Sequence, residues 1–154
     1  MTITIIVIIG NEMMWADDAR EHLRRAGYRP GAAGSLVLDH LAEQSCCRGA
    51  QEIHEALRGA GHRVGLASVY RMLDALAEQA LVQRVDVGDG VVRYEPARHA
   101  DHHHHLVCDA CGKVEPFADG GLERAIRVVE RESGYAVVAH EIVLRGACGD
   151  CRAA

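Results

Sequence analysis

The chain has 154 residues, 49% of them hydrophobic and 25% charged, and carries a net charge of −5 from 17 Lys+Arg against 22 Asp+Glu. These values exclude a disordered tail, a collagen-like repeat and a protein that coats nucleic acid by bulk charge, but they allow a small basic face on an acidic body. Aromatics supply only 4%, so a core has to be built from Ala, Val, Leu and Ile.

The first residues, MTITIIVIIG, form a β-branched run far shorter than the ~20 residues that span a bilayer. The run has no basic flank and Asp17 and Asp18 follow it, which argues against a secretory signal. Residues 1–14 read as an extension that adds to a sheet edge, stays frayed, or precedes a start at Met13 or Met14. WADDAREHLRRAG then has acids early, arginines late and Gly27 behind them, the polarity of a capped helix. SLVLDHLAEQ predicts a second helix with Ser35 as N-cap. AQEIHEALRGAG predicts a third, with Ile53, Ala56, Leu57 and Ala60 on one face.

After the short turn HRVGL, ASVYRMLDALAEQ repeats that spacing with Val69, Met72, Leu73 and Leu76, which makes the pair a helix-turn-helix candidate. The period then changes to two: VQRVDV, a Gly-Asp-Gly turn and VVRYE read as a hairpin. Helices followed by a hairpin outline a winged helix over residues 15–95. Pro96 breaks the last strand, and residues 96–101 read as a hinge. Beyond it, HHHHLVC and KVEPF predict strands around a cysteine knuckle, GLERAIRVVERESG a helix, and YAVVAHEIVLRGAC a strand. The expected architecture is α+β: an N-terminal winged helix-turn-helix domain, then a small α/β zinc-stapled dimerisation domain over 102–154.

Chemistry concentrates in the second half. Cys108-Asp109-Ala110-Cys111 and Cys148-Gly149-Asp150-Cys151 are two CxxC pairs, and two such knuckles supply the tetrahedral sulfur set that Zn²⁺ prefers. Redox-active pairs and disulfides are the competing readings. A thiol redox protein is the corresponding alternative function, to be separated by thiol titration before and after chelation. In His102-His103-His104-His105, strand alternation puts His102 and His104 on one face and His103 and His105 on the other, so one tetrad can feed two metal sites.

GHRVGLASVYRMLDALAEQALV, RYE followed by HHHHLVCDACGKVE, and AHEIVLRGACGDC resemble the recognition segment, metal-binding strand and closing knuckle of the ferric-uptake-regulator (Fur) superfamily, over about residues 20–152. The resemblance, closest in kind to the zinc-uptake-regulator branch, implies a cytoplasmic homodimeric repressor that binds double-stranded operator DNA when metallated. It implies no enzyme activity, small-molecule substrate or membrane association. Carried over by position, Cys108, Cys111, Cys148 and Cys151 hold structural Zn²⁺. Cys47, Glu95, His103 and His105 form a regulatory site, and His102, His104, Glu123 and His140 an accessory one. Arg29, Ser68, Tyr70 and Arg71 would contact DNA.

Each assignment has a plainer reading: Cys47 as a buried small hydrophobe, Glu123 as a first-turn helix acid, Tyr70 as half-buried packing. A thiol at Cys47, where the family commonly has His, favours Zn²⁺ over Fe²⁺ or Mn²⁺ in the regulatory site. Iron- and peroxide-responsive repressors are the rivals within the family. The sequence departs from the family at Pro30–Gly34, where a Thr and an Arg are usual, at Ala80, where Gly is common, and at Pro116, where an acid is frequent.

Overall fold

The computed structural model describes residues 3–97 and 102–153, with the backbone alone over 3–13. The chain divides into two compact units, Met1–His99 and Ala100–Ala154. The first holds α1 (Ile3–Arg25), α2 (Ala32–Ala42), β1 (Arg48–Gly49), α3 (Ala50–Gly59), α4 (Leu66–Glu78), β2 (Val82–Asp86) and β3 (Val92–Pro96). Leu23, Val37, Leu38, Leu41, Ile53, Val69, Leu73 and Leu76 are fully buried at the centre of its core. Burial of one such side chain stabilises by about 1.5–3 kcal/mol. Gly34 lets α2 approach α4 closely, since a Cβ there would stand 2.9 Å from the Met72 sulfur.

α3 and α4 form the helix-turn-helix. Their turn starts with Gly61 at φ 87°, where His62 N donates to Leu57 O at 3.0 Å and closes the end of α3. His54 on α3 reaches across to the Val64 carbonyl at 3.1 Å and ties down the residues that lead into α4. The sheet has the order β1-β3-β2, and β2 and β3 pair antiparallel from Val82↔Pro96 to Asp86↔Val92. Asp86 and Asp89 accept from the backbone N–H groups of Gly88 and Val91 and shape the turn of this wing. The winged helix-turn-helix expectation thus describes the first unit.

The second unit contains β4 (His104–Cys108), β5 (Val114–Phe117), α5 (Gly120–Ser133), β6 (Val143–Gly146) and α6 (Gly149–Arg152). Its sheet runs β5-β4-β6, with β4 antiparallel to β5 and parallel to β6. Asp119 caps α5 by accepting from Leu122 N at 2.8 Å, and Gly134 at φ 72° ends it.

Several expectations are corrected. The apolar N-terminal run belongs to α1, neither adding to a sheet edge nor fraying; β-branched residues lower helix propensity by only a few tenths of a kcal/mol each. Ser35 lies inside α2, which begins after Gly31, because Pro30-Gly31 stops the preceding chain and frees Ala32–Gly34 to be helical. β1 adds a third strand to the hairpin. Residues 135–142 form no strand, and the second CxxC opens the short helix α6 rather than continuing β6. Pro96 closes β3, while residues 98–101 of the expected hinge lie outside the described residues. Among the described residues no helix is long and apolar enough to cross a membrane.

Candidate metal centres and nucleic-acid interface

The four CxxC cysteines converge. Gly112, at φ 74°, folds the first knuckle so that its N–H donates to Cys108 O at 2.8 Å, and Cys148 N donates to the Cys108 sulfur at 3.3 Å from the second. All four sulfurs lie within 4.8 Å of one another, and those of Cys111 and Cys148 are 3.9 Å apart. A tetrahedral zinc with Zn–S of ~2.3 Å requires sulfur separations of about 3.8 Å, so the set fits that ion, whereas a disulfide requires ~2.05 Å. The cysteines are free thiols.

Backbone N–H groups, Cys148 first and then Cys111, hold Cys108 down to about 6. Hydrogen bonds to Cys148 and then Cys111 push Cys151 up to about 12. One thiolate forms readily and the crowding of sulfurs opposes the rest, a conflict that a divalent cation resolves.

On the other face of the tetrad, His102, His104 and His140 converge on Glu123. Their Nε2 atoms stand 3.4, 2.9 and 3.3 Å from one Glu123 carboxylate oxygen, and His102 and His140 are 2.9 Å apart. Nitrogen and oxygen ligands at ~2.0–2.1 Å in a tetrahedron are about 3.3–3.4 Å apart, so this group also suits a small divalent ion. The cap at Asp119 places Glu123 in the first turn of α5, facing β4. His104 donates the bond that chiefly holds Glu123 below the usual carboxylate range. His104 is fully buried and Phe117 packs 5.4 Å from its ring. The accessory residues expected from the resemblance are brought together.

The regulatory residues fall into two groups, one in each unit. In the second unit His103 and His105 stand side by side, ring centroids 5.2 Å apart. In the first, Glu95 on β3 is buried and accepts from Gln83 Nε2 on β2, its register partner. β1, by pairing Arg48 with Tyr94, brings the preceding cysteines beside Glu95. The Cys46 sulfur lies within 4.8 Å of a Glu95 carboxylate oxygen. Cys47 is equally buried; its hydrogen bond to Cys46, then desolvation, push its thiol well above the ordinary range. Cys46, set aside at the sequence level as structural or oxidisable, therefore joins the ligand-capable groups. The two-residue strand that carries it there is too short to leave a periodic signal.

α4 presents Tyr70, 43% exposed, and Arg71 outward, opposite Val69, Met72, Leu73 and Leu76. Arg71 donates to the Ser68 hydroxyl at 2.9 Å, which aligns both side chains along the first turns of the helix. Arg29 is exposed beyond the end of α1. Tyr70 is thus available to a ligand rather than packed away. Arg84 on β2 bridges to Asp74 of α4 at 3.1 Å, fastening the wing to this helix.

The sequence profile of the ferric uptake regulator family matches residues 26–145. The chain is 39% identical over 127 residues to the zinc uptake regulation protein of Mycobacterium tuberculosis, covering 80% of this chain and 92% of that protein. It is 33% identical over 115 residues to the ferric uptake regulation protein of Bacillus subtilis, with 73% and 72% covered. The structure is similar to that of the Vibrio cholerae ferric uptake regulator, with a TM-score of 0.73 and 28% identity over 84% of this chain and 98% of that one.

Proposed function

The chain belongs to the ferric uptake regulator family, and from that premise we propose that it is a zinc-responsive repressor that binds operator DNA as a homodimer when metallated. The observation that carries the metal assignment is the sulfur beside Glu95: a thiol and a carboxylate in one unit, with two imidazoles in the other, make a softer donor set than the oxygen- and nitrogen-rich sites that suit Fe²⁺ or Mn²⁺. Cys108, Cys111, Cys148 and Cys151 would hold a structural Zn²⁺, and His102, His104, Glu123 and His140 an accessory ion. The regulatory ion would be held by Glu95, His103, His105 and a thiol of the Cys46–Cys47 pair. Cys47 is the thiol that family position indicates; Cys46 is the one measured beside Glu95.

Bound there, the ion supplies a link between ligands of both units. Conformations in which Glu95 and the thiol meet the two histidines gain by their differential affinity, and the population shifts towards them. In a dimer this sets the separation of two α4 helices, which must match major grooves ~34 Å apart. Tyr70 would pack against thymine methyls, while Arg71, Ser68 and Arg29 contact phosphates or base edges. Exposed Leu106, Leu144, Val129 and Val138 in the second unit supply the apolar face that a second copy would cover.

Operator affinity titrated with Zn²⁺ and with Fe²⁺ tests the reading. Zinc at nanomolar free concentration or below is expected to raise affinity at least tenfold, with iron needing far higher levels. Equal affinity with and without added metal, the four-cysteine zinc being retained, overturns it.

A further inference from the structure

The adjacent thiols Cys46 and Cys47 are more than one zinc ligand requires. Both are buried in the first unit, their side chains are hydrogen-bonded to each other, and the Cys46 sulfur lies within 4.8 Å of the Glu95 carboxylate. They follow α2 directly, and a polar cleft of about 360 Å³ opens beside them, lined by the flanking residues Ser45 and Arg48 together with His40, Glu43 and Gln44. The Gln44 side-chain amide lines this cleft with both its nitrogen and its oxygen buried and without a partner among the described residues. Two sulfurs, a carboxylate and an unpartnered amide thus surround one small volume, all within a single unit.

We propose that Cys46 and Cys47 form a vicinal dithiol site for thiophilic ions that take two sulfur ligands, with trivalent arsenic as the class that fits. A four-coordinate ion such as zinc is not satisfied by two sulfurs and one carboxylate and has to recruit imidazoles. A pyramidal three-coordinate centre is completed by two thiolates and one further substituent, so this site needs nothing from the second unit. Soft sulfur donors select such an ion over hard cations. The step is a condensation without change of oxidation state. Two S–H bonds and the arsenic–oxygen bonds break, two As–S bonds form, and the thiol protons leave with oxygen as water. Because the second thiol reacts from the neighbouring residue, its effective concentration is high and the chelate far outlives a single As–S bond. Occupation would also remove the thiol proposed to bind regulatory zinc, so the ion would oppose operator binding.

The test uses the full chain, reduced and retaining its four-cysteine zinc, with phenylarsine oxide as probe. Native mass spectrometry is expected to show one phenylarsenic adduct per chain, with two titratable thiols lost and zinc retained, and peptide mapping places it on Cys46–Cys47. Cys46→Ser and Cys47→Ser should each weaken the adduct at least about a hundredfold against a monothiol competitor. An adduct that maps to the CxxC cysteines, survives undiminished in either variant or forms only with release of zinc overturns the proposal, as does the absence of any adduct on the native protein. Zinc-dependent operator binding, measured on the same preparation without arsenical, separates this outcome from the fate of the zinc gate.

Discussion

Arg93 keeps its side chain only 7% exposed on β3, and a guanidinium at that depth requires a partner. Asp89, in the wing turn, provides it through two bonds of 2.9 and 2.8 Å, and this pairing, followed by the Val91 N–H, lowers the Asp89 carboxyl to about 2. The unfolded-state value is ~3.9. A depressed carboxyl contributes its stability fully above about pH 4 and loses it as pH falls through about 2. Asp89→Asn is therefore expected to lower the urea midpoint at pH 7, and the gap from the unmodified chain should close between pH 4 and pH 2; a gap of constant size across that range would contradict the pairing. At the same scale the metal residues divide by how they were read. The CxxC cysteines and the tetrad were legible because ligand chemistry fixes their spacing and strand alternation fixes their faces. Cys46 was not, since choosing between adjacent thiols depends on which one a two-residue strand brings to Glu95.

Three helix ends in the first unit share one hydrogen-bond pattern. Tyr28 N bonds Leu23 O after α1, His62 N bonds Leu57 O after α3, and Leu81 N bonds Leu76 O after α4, at 2.8, 3.0 and 2.9 Å. The first two put Gly27 and Gly61 at the left-handed position, with φ of 82° and 87°. The third puts Ala80 there, at φ 53°. For a residue with a Cβ that conformation costs about 1–2 kcal/mol, against about 0.5–1 kcal/mol of chain entropy that glycine loses on folding. Ala80→Gly should accordingly stabilise the first unit by about 0.5–1 kcal/mol, read as a rise of a few degrees in its thermal midpoint, while Ala80→Val should lower it. No change on replacement by glycine would mean that the turn relaxes at no cost. The recognition helix was legible to within a residue because its 3.6-residue spacing and its closing turn agree. The start of α2 was missed because Ser35 offers a capping side chain that Pro30-Gly31 pre-empts three residues earlier. Residues 135–142 were taken as strand on β-branched content alone, yet they have no neighbour to pair with in one chain.

The two units are stabilised in different ways, and that difference can be measured on the whole molecule. The first encloses a core that runs from Trp15 to Tyr94, whereas in the second Val107 and Cys108 are the only hydrophobic residues buried among those described. α5 buries none of its residues, and Val129, Tyr135 and Val138 are 61%, 77% and 97% exposed. A unit of this size has too little apolar burial to hold itself and needs a metal staple or a second copy. Structural Zn²⁺ contributes on the order of 10 kcal/mol of folding free energy in small thiolate sites, more than a typical domain's whole stability margin of ~5–15 kcal/mol can spare from so thin a core. Strong chelation under reducing conditions is therefore expected to unfold the second unit and leave the first folded. Hydrogen exchange would report loss of protection over residues 104–146 with protection kept over α2–α4. Val129→Asp, which puts a charge on the uncovered face without touching a ligand, should shift sedimentation towards the monomer while the four-cysteine zinc stays bound. If the chelated chain instead retained protected β4 and β6 amides, or melted in one transition with the first unit, the staple would not be what holds the second unit together.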